Sequence, residues 1–535
     1  MRMDRTIYNS GEQLKAAGVG VPTFDREKMI KETSANPRWV HFGGGNIFRA
    51  FPAAVLQDRL DDASADVGVI MAEGFDTQII DLVRSHDMLT LLVTLKVDGS
   101  IDVGIVDSIA DAFKLDCAEE EDYAALMDIF QNPSLQMASF TITEKGYSLT
   151  RGDGQILPDV DKDFANGPAA PISYMGKVTT LCLARYRAGA LPIALVSMDN
   201  CSHNGDKLRD AVRMFAQKWQ KNGFVDAGFI AYLDDPKRVS FPWTMIDKIT
   251  PRPDDSVAKM LTDMGFDGVE GKVTQKGSYV APFVNAEQVQ YLIMEDWFPN
   301  GRTQLNGQGV MYAGRETVDK VERMKVCTCL NPLHTALAIF GCLLGYMRIS
   351  DEMADPDLCT LVNGVGYGEG LRVVTDPGVI SPRDFIDQVV HVRLPNKFVP
   401  DTPQRIACDT SQKLSIRFGE TIKAYGDEAK NLHWIPLVLA GWCRYLMGID
   451  DQGNPFEISP DPMLNELKSH MAGIRFGEGS DNGKLRPILE DSRIFGVNLY
   501  EVGLGEIIEQ RFARMNAGKG AVRKALQDAI ENHGK

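Results

Sequence analysis

A short buried strand that runs straight into three consecutive glycines, and then into a helix, is the most restrictive feature of this chain. Arg38-Trp39-Val40-His41-Phe42 reads as the strand and Gly43-Gly44-Gly45 as the loop. Ile47 to Leu60 (IFRAFPAAVLQDRL) carries apolar residues at helical spacing, and Val67 to Ala72 (VGVIMA) is a second β-branched strand. Glycines at such a turn let the backbone bend tightly and approach a pyrophosphate, whose charge then meets the start of a helix. The third glycine of a G-x-G-x-x-G pattern would stand where this chain has Phe48, so a purely structural glycine turn is the competing reading. Glu73 ends the second strand, where an acid can accept hydrogen bonds from adenosine ribose hydroxyls and so favour NAD over NADP. Asp76 competes for that role.

The first 300 residues extend the pattern. Apolar runs around Asp98-Gly99, between Met88 and Val106, predict an antiparallel hairpin. Gln136 to Thr143 and Pro192 to Ser197 read as buried strands, with a helical pattern from Ile172 to Tyr186 between them. Alternating strands and helices favour a mainly parallel, doubly wound sheet. Beyond residue 300 the segments Leu333 to Tyr346, Pro382 to Val392, Ser411 to Tyr425, Leu432 to Met447 and Leu504 to Ile530 all have helical periodicity. The expected architecture is an α/β N-terminal domain with inserted antiparallel strands over residues 1–300, and a mostly α-helical C-terminal domain over 301–535.

Composition narrows the function classes. A formal net charge of −16 over 535 residues gives no electrostatic footprint for nucleic acid or an anionic membrane. The longest apolar run, Ala336 to Tyr346, is too short to span a bilayer, and the opening MRMDRTIYNS lacks the apolar core of a signal peptide. A soluble cytoplasmic protein is expected, a monomer or small homo-oligomer acting on a small molecule. Nine cysteines without a CxxC pair read as small buried hydrophobes, with no metal site.

A second constellation is Lys325, Asn331 and His334 within MKVCTCLNPLH. Pro332 after Asn331 suits an Asn N-cap with proline at the first helical position, which puts His334 one turn into the helix beside Asn331. Taken singly, Asn331 is a plain cap, His334 a core or surface histidine and Lys325 a solvated charge. The combination weighs differently beside other motifs: FGGGNIFRA (42–50), TITEKGY (141–147), SMDNCSHNG (197–205), FPWTMIDKITP (241–251), EDWFPNGR (295–302), NPLH and RIACDTSQK (405–413) occur in this order. Together they resemble the polyol-specific long-chain dehydrogenase (mannitol dehydrogenase) family, over roughly residues 37–470.

The resemblance implies a Rossmann-type domain, a helical domain, and a metal-independent, NAD-linked interconversion of a secondary alcohol with a ketone. Lys325 matches the family's general acid/base, and a desolvated lysine can shuttle a proton near neutral pH. Asn200 and Asn331 match the asparagines that steady the oxyanion, His334 the histidine that positions the substrate oxygen, and Glu322 an acid that helps the lysine exchange protons. Asp247, Arg405 and Lys413 match substrate-contacting positions. The cofactor positions are Gly43, Gly45, Asn46, Ile47, Arg49, Glu73 and Glu144. Two departures stand out. Five residues separate Lys325 from Asn331 where the family has four, which a loop or bulge must absorb, and Phe48 and Phe51 replace residues that are often His. The stretch 440–464 resembles the fructuronate reductase (D-mannonate oxidoreductase) branch; mannitol 2-dehydrogenase-type polyol oxidation, tagaturonate reduction and a catalytically silent nucleotide-binding protein are the alternatives.

Overall fold

The computed structural model describes residues 1–253 and 255–533. The chain divides into two compact units, Met1–Leu95 with Ser100–Asp319, and Lys96–Gly99 with Lys320–Lys535.

The first unit contains, in chain order, β1 (Trp39–Phe42), β2 (Val69–Glu73), β3 (Thr90–Leu95), β4 (Ile101–Val106), β5 (Ile109–Lys114), β6 (Met137–Phe140), β7 (Ile193–Ser197) and β8 (Val239–Ser240). Six of these form one sheet in the order β5-β2-β1-β6-β7-β8, and every neighbouring pair is parallel. That order reverses between β1 and β6, the place where doubly wound sheets bind their ligands. Strand alternation sends Val40, Phe42, Ile70 and Phe140 into one core and Trp39, Val69, Met71 and Met137 into the other. Both faces are covered, so β1, β2, β6 and β7 are buried along their whole length.

The single helix expected over Ile47 to Leu60 is two, α1 (Asn46–Ala50) and α2 (Pro52–Asp61). Pro52 has no N–H and pushes the preceding residue out of the helical region; Phe51 accordingly sits at φ −131°, ψ −76°. β3 and β4 pair antiparallel across the Asp98-Gly99 turn, where Gly99 takes φ +89°. Further strands follow: β9 (Thr244–Asp247), β10 (Lys272–Val273), β11 (Tyr279–Val280), β12 (Phe283–Glu287), β13 (Tyr291–Glu295) and β14 (Val310–Ala313). β10 and β11 pair antiparallel, whereas β12 joins β3 in parallel and β13 runs parallel to β14 but antiparallel to β9, so the two three-stranded added sheets are mixed.

Helices build the second unit. One helical stretch runs through α3 (Arg315–Met324), a π-helical turn at Lys325–Cys329, and α4 (Asn331–Leu344). Arg315–Leu344 is long and apolar enough to cross a membrane by length and composition alone, but 83% of its apolar window is buried inside the protein, as in a core helix. Later come α5 (Glu420–Tyr425) and α6 (Trp434–Tyr445). α6 packs closely on α4, because a Cβ at Gly441 would lie 2.9 Å from the Phe340 ring. Glu369 caps α6 from outside it: Oε1 accepts the N–H groups of His433 and Trp434, and Oε2 that of Ile435 at 2.8 Å. The helix expected from Leu504 to Ile530 is also two, α7 (Gly505–Met515) and α8 (Ala521–Glu531), separated at Gly518 and Gly520, both at positive φ.

Candidate active site

In the first unit the glycine loop leaves β1 beside the segment that leaves β6. Gly43 takes φ +110°, and a Cβ there would lie 2.3 Å from the Thr141 carbonyl oxygen, so only glycine fits this contact. Gly45 occupies the N-cap position of α1 in extended conformation, no side chain caps the helix, and a Cβ would meet open space. The first-turn N–H groups of Asn46 and Ile47 are therefore left without a side-chain cap. This backbone fits a phosphate-bearing dinucleotide.

Glu73 is buried, and its carboxylate reaches into the loop. Oε2 accepts the Gly44 N–H at 3.1 Å, and Oε1 accepts those of Phe75 at 2.8 Å and Asp76 at 3.3 Å. Burial raises its pKa while these donors pull it down. Asp76 is buried too and accepts the Thr274 hydroxyl at 2.5 Å. Arg49 turns inward: Nη1 donates to the Ala281 carbonyl at 2.9 Å and Nη2 to Asn46 Oδ1 at 3.2 Å. Burial lowers its pKa to about 10. Arg49 thus anchors α1 to the chain just before β12. Phe48 stacks on His41, with centroids 3.9 Å apart and planes 6° apart. His41, held neutral by burial with a pKa of about 3, bridges Ser139 Oγ at 2.7 Å and Thr141 Oγ1 at 2.8 Å.

A buried carboxylate missed by the sequence reading organises the loops after β6 and β7. Asp199 Oδ1 accepts the Thr143 N–H at 2.8 Å, and Oδ2 accepts the Ile142 N–H at 3.0 Å and the Tyr147 hydroxyl at 2.5 Å. Burial raises its pKa and the donors oppose that. Asn204 Nδ2 donates to the Asp199 carbonyl and to Thr244, whose N–H donates back to Asn204 Oδ1 at 3.0 Å. TITEKGY, SMDNCSHNG and FPWTMIDKITP are thereby knitted into one network. It leaves Asn200 exposed, puts Asp247 in a buried position at the end of β9, and leaves Glu144 exposed in an ion pair with Lys207 at 2.9 Å. The only signal for Asp199 in the sequence is its place beside Asn200.

The second unit carries Glu322, Lys325, Asn331, His334, Arg405 and Lys413. Lys325 is 2% exposed and opens the π-helical turn, in which the Leu330 N–H reaches back to the Lys325 carbonyl at 3.0 Å. This wide turn takes up the fifth residue between Lys325 and Asn331, which on an unbroken α-helix would rotate the lysine by about 100°. The N-cap expected at Asn331 lies one residue earlier, at Leu330, where φ −126°, ψ −62° breaks the regular backbone. Asn331 is the first helical residue, with Pro332 after it and His334 one turn on. Glu322 is half-buried near the end of α3.

His334 Nε2 lies 3.3 Å from Asp401 Oδ2 without the alignment of a hydrogen bond. Burial, then the Arg417, Arg405 and Arg393 cations, push its pKa down to about 3, so the ring is neutral. Arg405 pairs with Asp401, and Lys413 Nζ donates to the Cys408 carbonyl at 2.6 Å. Arg417, absent from the expected set, donates from Nη1 to Thr335 Oγ1 at 2.5 Å, and that hydroxyl donates to the Asn331 carbonyl at 2.8 Å.

Residues 37–307 match the mannitol dehydrogenase Rossmann domain and residues 317–513 the mannitol dehydrogenase C-terminal domain. A D-mannonate oxidoreductase of Thermotoga maritima is 52% identical over 99% of both chains, and one of Escherichia coli is 26% identical over 90% of this chain and 92% of its own. A substrate-free D-sorbitol dehydrogenase superposes with a TM-score of 0.79 at 25% identity, covering 96% of this chain and 99% of that one. Mannitol 2-dehydrogenase of Pseudomonas fluorescens shares the fold, with a TM-score of 0.71 at 24% identity, covering 99% of this chain and all of that one. The chain belongs to the mannitol dehydrogenase family.

Proposed function

We propose that this protein is an NAD-dependent oxidoreductase that interconverts D-mannonate and D-fructuronate. The observation that carries this reading is the 52% identity to the Thermotoga maritima D-mannonate oxidoreductase over 99% of both chains. The reversed sheet order, the close approach at Gly43 and the uncapped start of α1 support the dinucleotide. In this reading residues 1–300 hold the nucleotide, with Gly43, Gly45, Asn46 and Ile47 at the phosphates and Glu73 on the ribose side. Glu144 belongs to the same half, and Arg49 contributes by holding α1 in place. Residues 301–535 hold the substrate. The enzyme is cytoplasmic, a monomer or small homo-oligomer.

Bound NADH supplies the hydride. Hydride addition to a ketone leaves an alkoxide that needs a proton, and Lys325 delivers it from a buried position. Asn200 and Asn331 donate hydrogen bonds to the developing oxyanion, a role that neutral amides fill without a counter-charge. His334, held neutral, orients the reacting oxygen, and Glu322 relays protons between Lys325 and solvent. Asp247, Arg405 and Lys413 contact the remaining substrate oxygens.

The test is loss of NADH absorbance with the purified full chain offered D-fructuronate, D-tagaturonate and D-fructose in parallel, and again with NADPH. Preferred turnover of D-fructuronate with NADH is expected. Preference for D-fructose would replace this reading with a polyol dehydrogenase.

A further inference from the structure

Of the three arginines whose charge acts on His334, Arg405 belongs to the expected site and Arg417 acts more strongly than Arg393 without being employed there. Arg417 follows Lys413 by one turn, with its N–H bonded to the Lys413 carbonyl at 2.9 Å, so the two side chains start from one helical face. The same segment, two turns past Lys413, ties to the lysine-bearing π turn through Thr421 Oγ1, which donates to the Cys327 carbonyl at 3.1 Å. Between these points the Arg417 guanidinium sits on Thr335, the residue after His334, and through its hydroxyl on the Asn331 carbonyl. Arg417 therefore lies against the segment that carries Lys325, Asn331 and His334.

Its charge is not balanced from within. Asp401 pairs with Arg405 and faces His334, while Asp409 and Asp461 act on Lys413. Among the described residues no carboxylate pairs with Arg417, whose only hydrogen bond from its side chain goes to a neutral hydroxyl. It is half-buried, and burial lowers its pKa to about 10. A desolvated guanidinium left without an anion is costly, and its planar fork matches a carboxylate through two parallel N–H donors. A neutral polyol offers no such counter-charge; a sugar acid does.

We propose that Arg417 binds the carboxylate of the substrate and so sets the preference for a sugar acid over an uncharged polyol. This rests on the sugar-acid reading above and adds to it the group that reads the acid. Arg405 is balanced by Asp401, and neutral His334 adds no charge to the cluster.

The experiment compares the wild-type chain with Arg417→Gln and Arg417→Lys in steady-state reduction of D-fructuronate, with NADH affinity measured separately by fluorescence titration. Arg417→Gln should raise KM for D-fructuronate about 10- to 100-fold, as for loss of a charge-assisted hydrogen bond, with kcat falling far less and NADH affinity unchanged. Arg417→Lys keeps the charge without the fork and should give an intermediate KM. A wild-type KM in Arg417→Gln, or NADH affinity weakening in step with KM, overturns the proposal. Should Arg417→Gln fail to fold, Arg417→Lys decides: a raised KM supports carboxylate recognition and an unchanged KM overturns it. Wild-type protein that ignores D-fructuronate would instead remove the sugar-acid reading itself, before any variant is compared.

Discussion

A β-branched residue at positive φ costs on the order of 1–3 kcal/mol, and such strain persists only where the surroundings over-determine it. Thr143 takes φ +62° in the turn that follows β6, and the Asp199 carboxylate accepts both its N–H and that of Ile142. The same carboxylate takes the Tyr147 hydroxyl, so one side chain fixes the turn from two sides. In Asp199→Asn, one of the two accepting atoms becomes an NH2 donor facing N–H or O–H groups. We expect the turn to relax and NADH affinity to fall roughly tenfold in a fluorescence titration, the effect of about 1.4 kcal/mol. Unchanged affinity would mean that the turn keeps its shape unaided. Lys325→Ala should behave in the opposite way, because a proton donor acts in turnover and not in cofactor binding. Its kcat should fall roughly 10²- to 10⁴-fold with NADH affinity preserved; full turnover in this variant would remove the lysine from its assigned role.

The elements that the sequence made legible are those whose signal is local. β1, β2, β6 and β7 stand where continuous apolar runs place them, since strands buried on both faces need no alternation. The β3–β4 hairpin follows from the apolar runs on either side of Asp98-Gly99. Where two local signals compete, periodicity misleads: apolar spacing suggests one helix through Phe51, and Pro52 breaks it. Parallel pairing of β12 with β3 joins segments almost 200 positions apart, and no short-range pattern encodes that. The π turn belongs to the same class. The extra residue after Lys325 was visible as spacing, but its accommodation depends on partners elsewhere, since Thr421 holds the Cys327 carbonyl and the Cys329 thiol reaches the Pro382 carbonyl at 3.7 Å. That packing also moves the cap from Asn331 to Leu330. For the candidate site, the residue types and motif order were legible, whereas the inward turn of Arg49 toward Ala281 and the loop clamp of Asp199 were not. Burial decides both, and burial is set by the fold as a whole.

At the scale of the whole molecule, two acids three residues apart give stability opposite dependences on pH. Burial raises the Asp355 pKa, but hydrogen bonds from Arg523 and Tyr346 outweigh it and hold the group at about 2. Its depressed pKa contributes stability that is present above the unfolded value and lost as pH falls toward 2. Glu352 is fully buried, its carboxyl oxygens have no hydrogen-bond partner among the described residues, and it packs against α4, where a Cβ at Gly341 would lie 2.2 Å from Oε1. Burial, then the Asp351 and Asp355 charges, raise its pKa from 4.5 to about 9. For this group the folded state holds a proton that the unfolded state has released, so stability is fully present below pH 4.5 and is lost as pH rises toward 9. Buried Glu73, Asp199 and Glu369 are shifted in the same direction. Buried His41 and His334, held at about 3 in the fold against 6.5 outside it, add stability as pH rises to 6.5 and oppose these acids there, so the wild-type melting temperature should decline between about pH 7 and about pH 9. Glu352→Gln preserves the shape and removes the titration, so its decline should be shallower, by about 1 °C for each kcal/mol of differential stability in a chain of this length. Calorimetry of both proteins across this range checks it. A melting temperature displaced by the same amount at every pH would show that Glu352 does not titrate with folding, and that its burial is compensated by a group other than its own proton.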